Sequence, residues 1–123
     1  MDEKYLKKER RRQARLERLG TNTPRCVVCG EDDPSCLELH HIPGRKFGDE
    51  LVIVCRNCHR KLSDAQKYHP RPEADPPSVV ECIAHFLQGL ADLFEQLVPQ
   101  LRNMAKQLMA KLTGARDSGE GKP

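Results

Sequence analysis

Tryptophan is absent from this chain, and aromatic residues make up only 4% of it. No run approaches the roughly 18 apolar residues that a membrane-spanning helix needs. The N-terminus is basic, but no apolar stretch follows it, so a secretory leader is not expected. Hydrophobic residues are 37% of 123. That is thin for a self-supporting core, and small domains of this kind lean on metals, disulfides or association. These absences argue against a membrane-spanning helix. They point to a soluble, cytoplasmic chain in a reducing compartment, whose cysteines bind metal rather than pair with one another.

Six cysteines are present, and four form two Cys-x-x-Cys pairs, Cys26/Cys29 and Cys55/Cys58. Zinc favours four thiolates in a tetrahedron, and two short-spaced pairs on separate knuckles can supply them. A structural Zn2+ is therefore expected at these four residues. Gly30 behind Cys29 permits the tight turn a knuckle needs. Cys36 and Cys82 are left over and read as small apolar fillers.

The charge is unevenly spread. Residues 1–25 hold nine Lys or Arg against four acids, while the whole chain carries only +3. Such asymmetry fits an arm that meets a polyanion, with nucleic acid the first choice. The arm, residues 1–24, lacks Pro and Gly over 2–19 and reads as a solvated helix stopped by Gly20.

Beyond the first knuckle, Leu37–His41 alternates and reads as a strand. Pro43–Asp49 is a basic loop with breakers. Leu51–Cys55 is β-branched and reads as a second strand. Helix formers follow from about Asn57 to Tyr68. The fold class is thus α+β: strand, loop, strand, helix, pinned by zinc over residues 25–69. Residues 70–78 are proline-rich and read as a stiff linker and domain boundary. Ser78 and Glu81 form a capping box. Over 79–112, Ile83, Leu87, Leu90, Phe94, Leu97, Leu101, Met104 and Leu108 recur at steps of four and three, a heptad-like seam. Pro99 should kink or split that helix. The seam calls for a covering surface: the zinc domain, a second chain in a homodimer, a partner helix, or a lipid surface. His85 on this helix reads as an ordinary surface histidine. Residues 113–123 read as a disordered tail.

Two adjacent histidines, His40 and His41, end the first strand, and His59 follows Cys58. At a strand end such a pair can divide roles, one binding a metal and the other standing beside it as a base.

Cys26-x-x-Cys29, Leu37-Glu-Leu-His40-His41-Ile-x-Gly44 and Leu51-Val-Ile-Val-Cys55-Arg-Asn-Cys58-His59-Arg-Lys together resemble the HNH endonucleases, in their zinc-ribbon-braced branch. The resemblance covers about residues 25–69. It implies a ββα-metal fold and metal-dependent hydrolysis of phosphodiester bonds, with double-stranded DNA the expected partner. It places His40 and His59 as ligands of one catalytic divalent ion (Mg2+, Mn2+, Ni2+ or Zn2+) and His41 as the general base. Arg45, Lys46, Arg56, Arg60 and Lys61 are then candidates to hold the phosphate backbone. Two positions depart from the family pattern. Glu50 stands where a bracing asparagine is usual, and Ser63 where a further ligand is usual, with Asp64 or His69 as substitutes. These departures support the alternative of a catalytically silent zinc-ribbon module that binds nucleic acid or a partner protein.

Overall fold

The computed structural model describes residues 2–119. Helix α1 spans Glu3–Leu19. The Asp2 carboxylate caps it by accepting from the Lys4 backbone N–H at 3.1 Å. Gly20 ends it at φ +80°, donating its N–H to the carbonyls of Leu16 and Glu17. Only glycine takes that left-handed cap without strain. Along most of its length α1 is solvated, as expected. Its last turn is not, because Leu16 and Leu19 are buried. Leu19 joins the core cluster, so the basic arm is anchored at its base.

Strands β1 (Leu37–His41) and β2 (Leu51–Cys55) pair antiparallel, with Leu37 opposite Cys55 and His41 opposite Leu51. A short 3-10 turn over Pro34–Cys36 leads into β1. The loop between the strands is closed by its own backbone. The Ile42 N–H donates to the Glu50 carbonyl at 2.9 Å, and Gly44 and Phe47 close two successive turns at 3.0 Å each. Helix α2 (Arg56–Gln66) starts directly from β2, with Cys55 as its N-cap. It stops two residues short of Tyr68, and the chain leaves it through turns at Lys67, Tyr68 and His69. Leu37, Val54 and Leu62 are almost fully buried between hairpin and α2. This is the expected strand, loop, strand, helix unit.

Helix α3 spans Val79–Gly119. The capping box forms: the Glu81 N–H donates to Ser78 Oγ, and that hydroxyl donates to the Glu81 carboxylate, both at 3.2 Å. Two expectations need correcting. Pro99 does not split α3, which passes through it. A proline removes one i→i−4 bond, but Leu93 and Leu97, within the two turns upstream, are docked on the core and hold the helical path. The helix also runs beyond residue 113 to Gly119, into the segment read as a disordered tail; residues 120–123 lie outside the described residues.

The 70–78 segment acts as a strap rather than a boundary between separate cores. It returns α3 onto the hairpin, where Leu93 enters the same cluster as Leu62 and Val54. Gly89 makes this approach possible: a Cβ there would lie 1.8 Å from the Ile42 carbonyl oxygen. From Val98 to Gly114, α3 projects with nearly every residue exposed. Among the described residues no helix is long and apolar enough to cross a membrane.

Candidate metal centres

The four paired cysteines converge. Their sulfur atoms all lie within 4.8 Å of one another, and no other such cluster of metal-ligating side chains occurs among the described residues. Cys29 Sγ and Cys55 Sγ are 3.7 Å apart. A tetrahedron with metal–sulfur bonds of about 2.3 Å has edges of about 3.8 Å. Each pair is a knuckle built by backbone. The Gly30 N–H returns to the Cys26 carbonyl at 2.9 Å, with Gly30 at φ +83°. The Cys29 and Cys58 N–H groups point at Cys26 Sγ and Cys55 Sγ, at 3.5 and 3.4 Å. Burial raises the Cys26 thiol, but the N–H groups of Cys29, Cys55 and Val28 outweigh it and bring it down to about 7. Burial raises Cys29 and Cys58. A cation would reverse that, since it stabilises the thiolate. The site can hold a metal, and it ties the loop after α1 to the start of α2. Cys36 and Cys82 are half-buried and stand outside it.

The histidines form a second group. His40 is 4% exposed. Its ring meets that of His59 edge-on, with centroids 5.2 Å apart. Burial first, then the neighbouring His59 and His41, holds His40 down at about 4, so it is a neutral imidazole at neutral pH. His59 Nδ1 lies 2.7 Å from Glu38 Oε1, which leaves its Nε2 as the outward nitrogen. Carboxylate–histidine pairs of this kind orient metal-binding imidazoles. Arg56 Nε stands 3.6 Å from the other Glu38 oxygen.

His41 is half-buried and has a different setting. It lines an open concavity of about 380 Å³ with Glu38, Arg18 and Arg45. The adjacent histidines therefore divide, one sealed against α2 and one facing an open hollow that Arg18 and Arg45 also line. A second basic hollow of about 280 Å³ lies beyond the loop, lined by Arg45, Lys46, Lys67, His69 and Arg71 among others.

The remaining expected residues are placed unevenly. Arg45 reaches both hollows, and Lys46 lines the second. Arg56 turns to Glu38, Arg60 pairs along α2 with Asp64 at 3.8 Å, and Lys61 is exposed on the same helix. Neither substitute for the family's further ligand joins His40 and His59. Asp64 is engaged by Lys67 at 3.1 Å and by Arg60. His69 Nε2 bonds Asp92 Oδ2 of α3 at 2.7 Å. His85 also departs from expectation. It is 7% exposed, not a surface group, because its ring stacks on Phe47 at 3.6 Å where α3 crosses the loop.

Three contributors, Gln66, Arg18 and Asp92, were not singled out from sequence, whereas Glu50 was. Gln66 Nε2 donates to the His41 carbonyl at 3.0 Å and the Ile42 carbonyl at 3.3 Å, bracing the end of β1 from α2. Glu50, exposed and turned back toward Gly48, braces only through its backbone. Arg18 comes from the docked end of α1, and Asp92 comes from α3, close enough to His40 to oppose its loss of basicity. A glutamine closing a helix next to a histidine-tipped strand was the one available signal. No protein-family model, no curated protein and no solved structure matches the chain.

Proposed function

We propose that this chain is an HNH-type metal-dependent endonuclease that hydrolyses phosphodiester bonds in DNA, with a structural zinc at Cys26, Cys29, Cys55 and Cys58. The observation that carries the reading is the divided histidine pair. Neutral, buried His40 sits beside carboxylate-oriented His59, while His41 opens onto a hollow flanked by Arg18 and Arg45. Such a division supplies two imidazole ligands and, at the adjoining residue, a solvent-facing base, with Glu38 both bonded to His59 and lining the hollow of His41.

In this mechanism His40 and His59 would hold one divalent ion through ring nitrogens, and Glu38 fixes the tautomer of His59. The ion, when bound, supplies electrostatic stabilisation of charge on phosphorus and on the leaving oxygen. His41 accepts a proton from the attacking water, a task suited to an imidazole near neutral pH. Arg18 and Arg45 hold the phosphate oxygens, and the second hollow extends the grip along the backbone. Gln66 keeps the end of β1 in place, so the base stays aimed. Zinc suits the cysteine set because its sulfur spacing matches a tetrahedral thiolate site.

Plasmid nicking with Mg2+, Mn2+, Ni2+ or Zn2+ tests the proposal. The parent should nick, and His41→Ala should lose about a hundredfold or more, the usual scale of a general base. Equal cleavage by the variant would end the assignment.

One observation favours a second reading, a silent zinc-ribbon module that grips nucleic acid or a partner protein. Asp64 and His69 are committed elsewhere, and no third ligand accompanies His40 and His59 among the described residues. Metal content separates the two. A single tight zinc per chain, with no second ion at millimolar metal, fits the silent module.

A further inference from the structure

The hollow beyond the loop is built from four segments of the chain. Arg45 and Lys46 come from the loop, Lys67 and His69 from the end of α2, Arg71 from the strap and His85 from α3. The strap joins α2 to α3, so the docking of α3 on the loop sets where Arg71 stands. Two imidazoles stiffen the wall. His69 is tied to Asp92 at 2.7 Å, and buried His85 lies flat on Phe47, with ring centroids 3.6 Å apart.

The charge around this hollow is of one sign. Among the described residues no Asp or Glu lines it. Lys46 leans to Asp75 at 4.0 Å and Lys67 to Asp64 at 3.1 Å, so their charges are partly answered from outside. Arg45 and Arg71 have no acidic partner among the described residues. Two unpaired guanidinium groups on one hollow call for an anion. Its volume of about 280 Å³ falls below the range of about 300–1,000 Å³ that drug-sized ligands take. The hollow therefore suits one charged group, with the rest of its molecule outside. A phosphate monoester matches the two arginines. It carries close to two negative charges at neutral pH and presents three terminal oxygens, which arginine forks bind in pairs. A diester inside a strand carries a single charge, and its chain must leave on both sides.

We propose that this hollow takes the terminal phosphate of a nucleic-acid strand, held between Arg45 and Arg71. The inference rests on the nucleic-acid partner proposed above, but on none of the cleavage chemistry. Arg45 also lines the hollow of His41, so a strand held here by its end lies next to the proposed base.

Fluorescence anisotropy of the full zinc-loaded chain tests it, with no free divalent ion added, so that nothing is cut. The probes are internally labelled short duplexes of one sequence, with 5′-phosphates, with 3′-phosphates or with hydroxyls at every end. One of the phosphorylated duplexes should bind about tenfold tighter than the hydroxyl duplex, the scale of hydrogen bonds to charged groups. Arg71 is exposed on the strap, so Arg71→Ala should keep its circular dichroism and zinc content while the preference disappears. Arg102→Ala removes the same charge from the free half of α3 and should keep the preference. Equal binding of all three duplexes by the parent would overturn the proposal, as would an Arg71→Ala protein that still prefers the phosphorylated end. An equal loss in Arg102→Ala would reduce the effect to net charge and overturn it too. Free phosphate is the other source of the same dianion. Inorganic phosphate should compete only at millimolar concentration, and competition at micromolar concentration would assign the hollow to free phosphate instead of a strand end. An end preference in a parent that nicks no plasmid would uphold this proposal while ending the nuclease reading, so the two fail separately.

Discussion

His40 and His41 are neighbours in sequence and opposites in environment. His40 is sealed beneath α2 and held at about 4, below the ordinary 6.5, chiefly by burial. A histidine whose folded pKa is depressed stabilises the fold above its unfolded pKa. That contribution is lost as the pH falls from about 6.5 toward 4. The shift corresponds to about 3 kcal/mol. Urea midpoints of the parent should therefore fall more steeply than those of His40→Gln between those pH values, once the carboxylates common to both are subtracted. At the end of β1, Gln66 is predicted to matter for aim and not for folding. Gln66→Leu should lower nicking about tenfold while zinc content and the far-ultraviolet spectrum stay parental. The placement of the histidines was legible in sequence, because spacing on a strand and behind a knuckle is local information. Gln66, Arg18 and Asp92 were not. Each reaches the site only through the packing of a separate helix, and nothing in a neighbouring residue announces that approach.

The elements through α2, and the start of α3, were legible to within a residue or two, and the reasons are local as well; the far end of α3 was not. β-branched Leu51–Cys55 and alternating Leu37–His41 had no competing period, and Gly20 and Ser78 mark helix ends by their own chemistry. The split expected at Pro99 does not occur, because a helix already fixed by Leu93 and Leu97 can absorb one lost hydrogen bond. His85 misled because its burial depends on Phe47, a loop residue reached through the strap. Two predictions belong to this scale. Cys26→Ser, or a chelator, should melt the hairpin together with α2, because the metal's binding energy is folding energy in so small a unit. Circular dichroism with and without added zinc checks it. Gly89→Ala should push α3 off Ile42 and cost about 2–4 kcal/mol, since its Cβ would meet a backbone oxygen that has little room to yield. Thermal unfolding reads that loss, and retained zinc content shows that the cysteine centre survives it.

At the scale of the molecule, one thin core serves three helices and a hairpin. Leu19 of α1, Val54 of β2, Leu62 of α2 and Leu93 of α3 all meet in it, next to Cys26, Cys55 and Cys58. The cysteine cluster and the core are therefore one support, and the histidine-bearing ends of β1 and α2 stand on it. The basic groups of α1 and of the loop stand around the outlet where His41 emerges. The central claim is that His41, set on this support, is the base of a phosphodiesterase. Plasmid nicking by the parent and by His41→Ala, with bound zinc measured on both, tests it most directly. The account predicts equal zinc in the two proteins and nicking reduced about a hundredfold or more in the variant. Equal zinc with equal nicking, or no nicking by the parent with any of the four divalent ions, would contradict it.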